Sequence, residues 1–415
     1  MKAKTHRFLL LLLTIAIAVV FFFVSGCSHE TLKGEPVNML GDAGRSNSFE
    51  QFGGFITYGT YTDKFDISEK AGAIVPPLAL SNEEFIYATT DGRIIACIAG
   101  DQYWEKKLDK GAVANGMMCA DAEQNSYIID SNGMIYSFNY DGKLRWKHAV
   151  TDSPLGESTL PCDLLALTDG VLAGTTDGIV CKFSFEGKRL WTASFPSGIE
   201  KTLSAADDCP LLCISSENEQ DTLAMLSQTG SVKWKRATDT RLVKFPVAGK
   251  SAIYVAGLRY VGEDVLSNVF AYDFSGKLLW RKDWSLVPRS ISVAENGDIF
   301  VNVFNAGLGD QVSAVFKMNE HGKIIWKKFF RYAIPTPVMI SKTSLAYLGV
   351  TSNTVGLYFL DREKGENFNV QSFSNELPIM HAATVRPDGA ISFAYYQNIG
   401  FVRADEPWFH KFLPW

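Results

Sequence analysis

Seven cysteines and six histidines are the side chains of this 415-residue sequence best suited to nucleophilic, redox or metal chemistry. Cys27 is set apart by its context. Lys2, Lys4 and Arg7 open the chain, Phe8 to Val24 is an uncharged and almost wholly apolar run, and Val24-Ser25-Gly26 leads directly into the thiol. Seventeen such residues are marginal for a membrane-spanning helix, which needs about 20, and suit a secretory signal. Small residues before the cysteine let a peptidase take the backbone in extended form. The pattern is that of a bacterial lipobox, which predicts cleavage before Cys27 and acylation of its sulfur. An uncleaved anchor helix is the alternative.

The other thiols and imidazoles form no reactive constellation. Cys209 and Cys213 are the nearest pair, and on a straight strand they stand about 13 Å apart at ~3.3 Å per residue, beyond the ~7 Å that a disulfide spans. Pro210 between them could bend that segment. Cys97, Cys162 and Cys181 lie in apolar, strand-like surroundings, and Cys119 has no partner at metal-binding spacing. His6, His29, His148, His321, His381 and His410 are scattered, and the sequence lacks His-Glu-x-x-His, an EF-hand loop, a P-loop and a Gly-x-Ser-x-Gly elbow. His381, three residues after Pro378, is the one imidazole expected near a central channel. No catalytic residue, metal site or cofactor site is expected.

The elements around these residues repeat. Gly-x-x-x-Trp occurs at Gly100/Trp104, Gly142/Trp146, Gly187/Trp191, Gly230/Trp234, Gly276/Trp280 and Gly322/Trp326, with tryptophans 42, 45, 43, 46 and 46 residues apart. Gly365-Glu366-Asn367-Phe368 reads as a decayed seventh copy, and Trp408, 82 residues after Trp326, as an eighth. Ahead of each copy lie two β-rich runs joined by Asp91-Gly92, Asn132-Gly133 or Asp177-Gly178, dipeptides that supply the positive φ of a tight hairpin. Prolines at 77, 161, 246, 288, 337 and 378 mark the start of a further strand, where a missing N–H is tolerated. Four strands per period of 40-odd residues is one propeller blade. The reading is all-β: a single propeller of four-stranded antiparallel blades, eight in number, or seven if the Phe368 segment is not a full blade.

Segments such as Tyr136–Trp146 and Phe270–Trp280 resemble the tryptophan-docking repeat of quinoprotein-like (PQQ-like) β-propellers, over roughly residues 72–413. The architecture is also similar to the propeller lipoprotein family of the outer-membrane β-barrel assembly machinery. The first resemblance implies indoles that cement neighbouring blades: Trp104, Trp146, Trp191, Trp234, Trp280, Trp326 and Trp408. Quinone-dependent enzymes of that superfamily carry adjacent cysteines over the cofactor and are longer; no Cys-Cys pair exists here. The second resemblance implies a non-enzymatic scaffold that docks an envelope protein. A quinone-dependent oxidoreductase, or a sensor holding a small ligand or sugar in the central channel, is the alternative.

Composition bounds the partners. Hydrophobic residues make up 47% of the chain and 40 basic residues face 45 acidic ones, a balance that argues against sequence-independent nucleic-acid binding. The expected organisation is a signal peptide over 1–26, a lipidated, flexible, glycine-containing tether over 27–48, and the propeller over 49–415. Such a chain works outside the cytoplasm. Ser28, rather than an aspartate, follows the modified cysteine, which favours the outer membrane in a two-membrane cell and the outer face of the plasma membrane otherwise. Two insertions, Arg259–Asn268 and Asn305–Gln311, lengthen the turns between second and third strands on the face opposite the Gly-x-x-x-Trp hairpins. Tyr260, Val261, Leu266 and Leu308 are the apolar contacts expected there for a partner.

Overall fold

Residues 36–39, 45–55, 61–66, 75, 77–81, 84–98, 101–216, 220–242, 245–261, 264–304, 313–350, 355–372, 383–386, 389–395 and 398–402 are described by the computed structural model. The lipobox with Cys27, the apolar run before it, Leu308, His381 and Trp408 lie outside these residues.

Among the described residues, the strands pair into eight sheets, each a propeller blade built from antiparallel strands. In chain order the innermost strands are Leu78–Ala79, Cys119–Ala120, Leu165–Leu167, Ser204–Ala206, Val247–Ala248, Val287–Val293, Met339–Ile340 and Ala383–Val385. Blade 3 shows the plan. Gly170–Gly174, Ile179–Phe183 and Arg189–Ser194 follow the innermost strand outward, each antiparallel to the last.

Second and third strands are apolar without alternation because both faces of each sheet are covered by neighbours. Leu211 and Cys213 pack toward blade 5, whereas Leu212 and Ile214, one residue out of phase, pack toward blade 3. Seven clusters of buried apolar side chains fill the spaces between successive blades from 1–2 to 7–8. The innermost strands of blades 1 and 8 also touch, so the ring closes.

Closure uses chain from both ends. The outer strand of blade 8 is Tyr61–Asp66, paired antiparallel with Asn398–Val402. The fourth described strand of the eighth blade therefore comes from the N-terminal side; Trp408, expected on an eighth outer strand, lies outside the described residues. A ring built from contiguous repeats has no bond between first and last blades; a strand exchanged across that seam provides one.

The expected flexible tether is also shorter than 27–48. Val37 and Asn38 pair antiparallel with Ala120 and Cys119, and Met39 and Arg45–Ser48 are buried. The innermost strand of blade 2 runs toward the face that carries the Gly-x-x-x-Trp hairpins, so the antiparallel Val37–Asn38 step enters the axial channel from that face. Arg45 then reaches the far end, where its Nη2 and Nε donate to the carbonyls of Leu164 (2.7 Å) and Leu203 (3.1 Å), just before the innermost strands of blades 3 and 4. The chain returns beside blades 6 and 7. Val293 N–H donates to the Ser46 carbonyl, Ile340 N–H to that of Asn47, and Ser48 bridges Ile340 in parallel. At the starting face, Arg362 and the Glu295 N–H hold the Glu50 carboxylate.

Candidate partner-binding surface

The six tryptophans of the repeat are held by one geometry. Each outer strand has a bulge just before its indole, seen where the register skips Arg145 and Lys233. The bulge turns the ring onto the next blade, over the hairpin glycine. Gly142 has φ +72°, and a Cβ there would stand 2.6 Å from the Trp104 ring, so only glycine serves both the turn and the contact. The Nε1–H of Trp104 donates to the Tyr140 carbonyl at 2.8 Å, and Trp146, Trp191, Trp234, Trp280 and Trp326 donate to Phe185, Gln228, Phe274, Glu320 and Arg362.

In blade 7 the docking register belongs to Asn369, which pairs with Phe359. Phe368 occupies the skipped, exposed bulge position, which corrects its assignment as the docking copy. An indole at Asn369 would meet no Gly-x-x-x-Trp hairpin, because the third and outer strands of blade 8 are not consecutive in the chain.

Reactive chemistry is not assembled by these elements. Among the described residues no cluster of three or more His, Cys, Asp or Glu could hold a metal. Cys97, Cys119, Cys162, Cys181, Cys209 and Cys213 are buried; burial pushes the Cys97 and Cys181 thiols up to about 12. Such thiols are poor nucleophiles. His148 lies against the rings of Trp146 and Phe183, and His321 is exposed beside Glu320. The axial channel, where a small ligand was the alternative, is crossed by the chain's own residues 37–39 and 45–50.

Among the described residues, the largest departure from the repeat is in blade 5. Its second and third strands, Ile253–Val261 and Asp264–Tyr272, are nine residues each, against five each in blade 3. Four extra residues at ~3.3 Å carry the hairpin about 13 Å further out, on the face opposite the docking hairpins. The predicted loop insertion at Arg259–Asn268 is thus mostly a strand extension, in register to the last pair, Val261 with Asp264. Tyr260 pairs with Val265 in this ladder, Val261 is 48% exposed, and Leu266 is partly buried. Residues 305–312 of the second insertion lie outside the described ones.

The extension is braced on both edges. Arg241 and Leu242 pair with Leu258 and Gly257, and Asp283 and Trp284 with Asn268 and Ser267. Asp239 accepts from Arg281 (2.8 Å) and Arg259 (3.1 Å), Arg281 also donates to Asp283 at 2.7 Å, and Asn268 donates to Asp283 at 3.0 Å. Burial opposes ionisation of Asp283, but the bonds from Arg281 and Asn268 outweigh it and hold its carboxyl below the usual range. Trp284, off the repeat register, packs edge-on against Phe316 of blade 6 with ring centroids 5.4 Å apart. The result is a hairpin braced on both edges, with Val261 exposed near its end above charges that neutralise one another. Such a surface suits a protein partner better than a small ion or a polyanion.

These features define a β-propeller of the PQQ-like class. The family model described as "Outer membrane protein assembly factor BamB" matches residues 59–263, and the chain resembles that family. Among solved structures, BamB from Moraxella catarrhalis is 13% identical over 84% of this chain and 99% of its own, with a TM-score of 0.58. Sqt1 of Saccharomyces cerevisiae is 12% identical over 84% and 98%, with a TM-score of 0.59. The Dos1 propeller is 10% identical over 85% and 96%, also at 0.59. At these identities the likeness is one of fold. No curated protein sequence matches significantly.

Proposed function

We propose that this chain is a lipid-anchored envelope protein whose propeller is a non-enzymatic scaffold for another protein. The observation that carries the reading is the braced blade 5 hairpin, a preformed projection from a rigid ring. Binding residues concentrate on such projections, and a stiff one loses little conformational entropy when a partner docks. The resemblance to the outer-membrane assembly factor supports a role in the envelope. The Val24-Ser25-Gly26-Cys27 pattern supports acylation at Cys27, with outer-membrane sorting in a two-membrane cell.

The test places a photo-cross-linking residue at Val261 and, as control, at Leu144 on the other face. Membranes are irradiated and the adducts identified. One discrete protein adduct at Val261 and none at Leu144 is expected; the reverse would move the partner face. In parallel, Cys27→Ala should shift the protein from the detergent phase to the aqueous phase and change its N-terminal mass. An unchanged partition and mass would remove the lipid.

A further inference from the structure

We propose that the face carrying the Gly-x-x-x-Trp hairpins is turned to the lipid surface, with the apolar rim of that face resting against it. The proposal rests on acylation at Cys27. Two independent observations lead to it.

The first is chain length and direction. Val37 stands where the chain enters the axial channel from the hairpin face, paired with Ala120 at the hairpin-face end of the blade 2 inner strand. Nine residues lie between it and Cys27, and the ten Cα-to-Cα steps reach at most about 33–36 Å when fully extended. A chain lipidated at Cys27 therefore cannot pass around a ring of eight blades to present the opposite face to the bilayer.

The second is the distribution of exposed apolar side chains. Each of the first seven blades exposes a large apolar residue within the first three positions of its outer strand, immediately after the hairpin. The series runs from Tyr103 (46% exposed) through Leu190 (43%) and Leu279 (48%) to Ile325 (51%) and Phe368 (43%). Among the described residues, only Leu160 and Val261 of the exposed large apolar side chains belong to the other face. Tyr103 reaches the next blade, donating to Asp141 at 2.8 Å beside Tyr140, but the exposed aliphatic members of the ring are not needed for docking, because the indoles already cover the neighbouring hairpins. Side chains of this kind stabilise peripheral attachment by entering the headgroup boundary.

Charge does not drive the contact. At the docking hairpins Lys143, Lys188, Lys277 and Lys323 are offset by Asp141, Glu186, Asp273 and Glu320, and the turns after the inner strands on the same face add Glu123, Asp207, Asp208 and Glu295, so no excess of positive charge draws this face to an anionic surface. Attachment through this rim should therefore persist in salt that screens exposed charges.

The experiment uses full-length lipidated protein in vesicles of phosphatidylethanolamine and phosphatidylglycerol containing a lipid-borne quencher. A fluorophore is placed at Ile325→Cys in one sample and at Val261→Cys in another; the six native cysteines of the propeller are buried and do not compete. Flotation of the vesicles is scored first. Floating protein with quenching several-fold stronger at position 325, unchanged in 0.5 M salt (roughly a 4 Å screening length), supports the proposal. Floating protein quenched equally at both positions, or more at 261, overturns the orientation while leaving the anchor in place. Protein that does not float overturns the anchor, and the orientation with it.

Discussion

Trp234 and Asn369 occupy the same register position in blades 4 and 7, and they show what one side chain contributes. Trp234 is buried, lies against Gly276 and donates to the Phe274 carbonyl at 3.0 Å. Trp234→Ala should cost about 3–5 kcal/mol, as for other large-to-small changes at packed sites. Asn369→Ala should cost about 1 kcal/mol or less, because a short amide side chain buries far less area than an indole. Urea unfolding of both variants checks the difference; equal costs would mean that the indoles are not the cement between blades. Trp284 was open to misreading from spacing alone. Lying off the 42–46-residue register it looks peripheral, yet it packs on Phe316, and Trp284→Ala should fall nearer to Trp234→Ala than to Asn369→Ala. The hairpin glycines and their tryptophans were legible because one geometric demand repeats along the sequence. Trp284 was not, because it packs under a strand extension that occurs in blade 5.

At the scale of elements, blades 1 to 7 could be read from the chain, since their strands are consecutive and turn residues punctuate them. The blade 5 hairpin could not. Arg259–Asn268 lacks strict alternation, and its polar residues read as a loop until the ladder and the flanking pairs at Leu242 and Trp284 are seen. The N-terminal segment was misread for a related reason. Its glycines and polar residues resemble a solvated linker, whereas Arg45, Asn47 and Glu50 are spent on main-chain groups and charges inside the channel. Glu50 gives this segment a pH dependence. Burial alone would raise its carboxyl, but the Glu295 N–H and Arg362 outweigh burial and hold it below its ordinary value of 4.5. A carboxyl depressed on folding adds stability that is present above about 4.5 and is lost as pH falls through the lower, folded value. Glu50→Gln should therefore flatten the acid limb of the stability curve. At neutral pH it should cost about 3 kcal/mol, because it leaves the buried Arg362 short of a counter-charge. Thermal melts between pH 3 and 7 read both effects; parallel curves for the two proteins would count against the latch.

For the whole molecule, the ring depends on a seam that is not covalent. The first described strand of blade 8's outer edge, Tyr61–Asp66, is far in sequence from Asn398–Val402, to which it pairs. Thr62→Pro with Asp63→Pro removes a ladder donor whichever way the strand faces, since successive N–H groups point to opposite sides. The doubly substituted protein should melt earlier and be cut by protease first in residues 389–402. A melting temperature and cleavage pattern like those of the parent would show that the clasp adds little. Periodicity predicted the number of sheets but could not reveal this exchange, because counting repeats assumes that each blade is one contiguous stretch of chain.

The channel-crossing segment also sets an order of events in time. Glu50 meets Arg362 across 312 positions of sequence, and Arg45 needs carbonyls from blades 3 and 4 already in place. Contacts this distant form late and slow folding. As the chain folds, its earliest propeller residues are therefore the last to find their seats. Until blade 8 arrives, the molecule is an open arc with an unfilled axis and two unpaired edges, held at the membrane by its first residue if Cys27 is acylated. That interval is when proteases and chaperones have their best access to it.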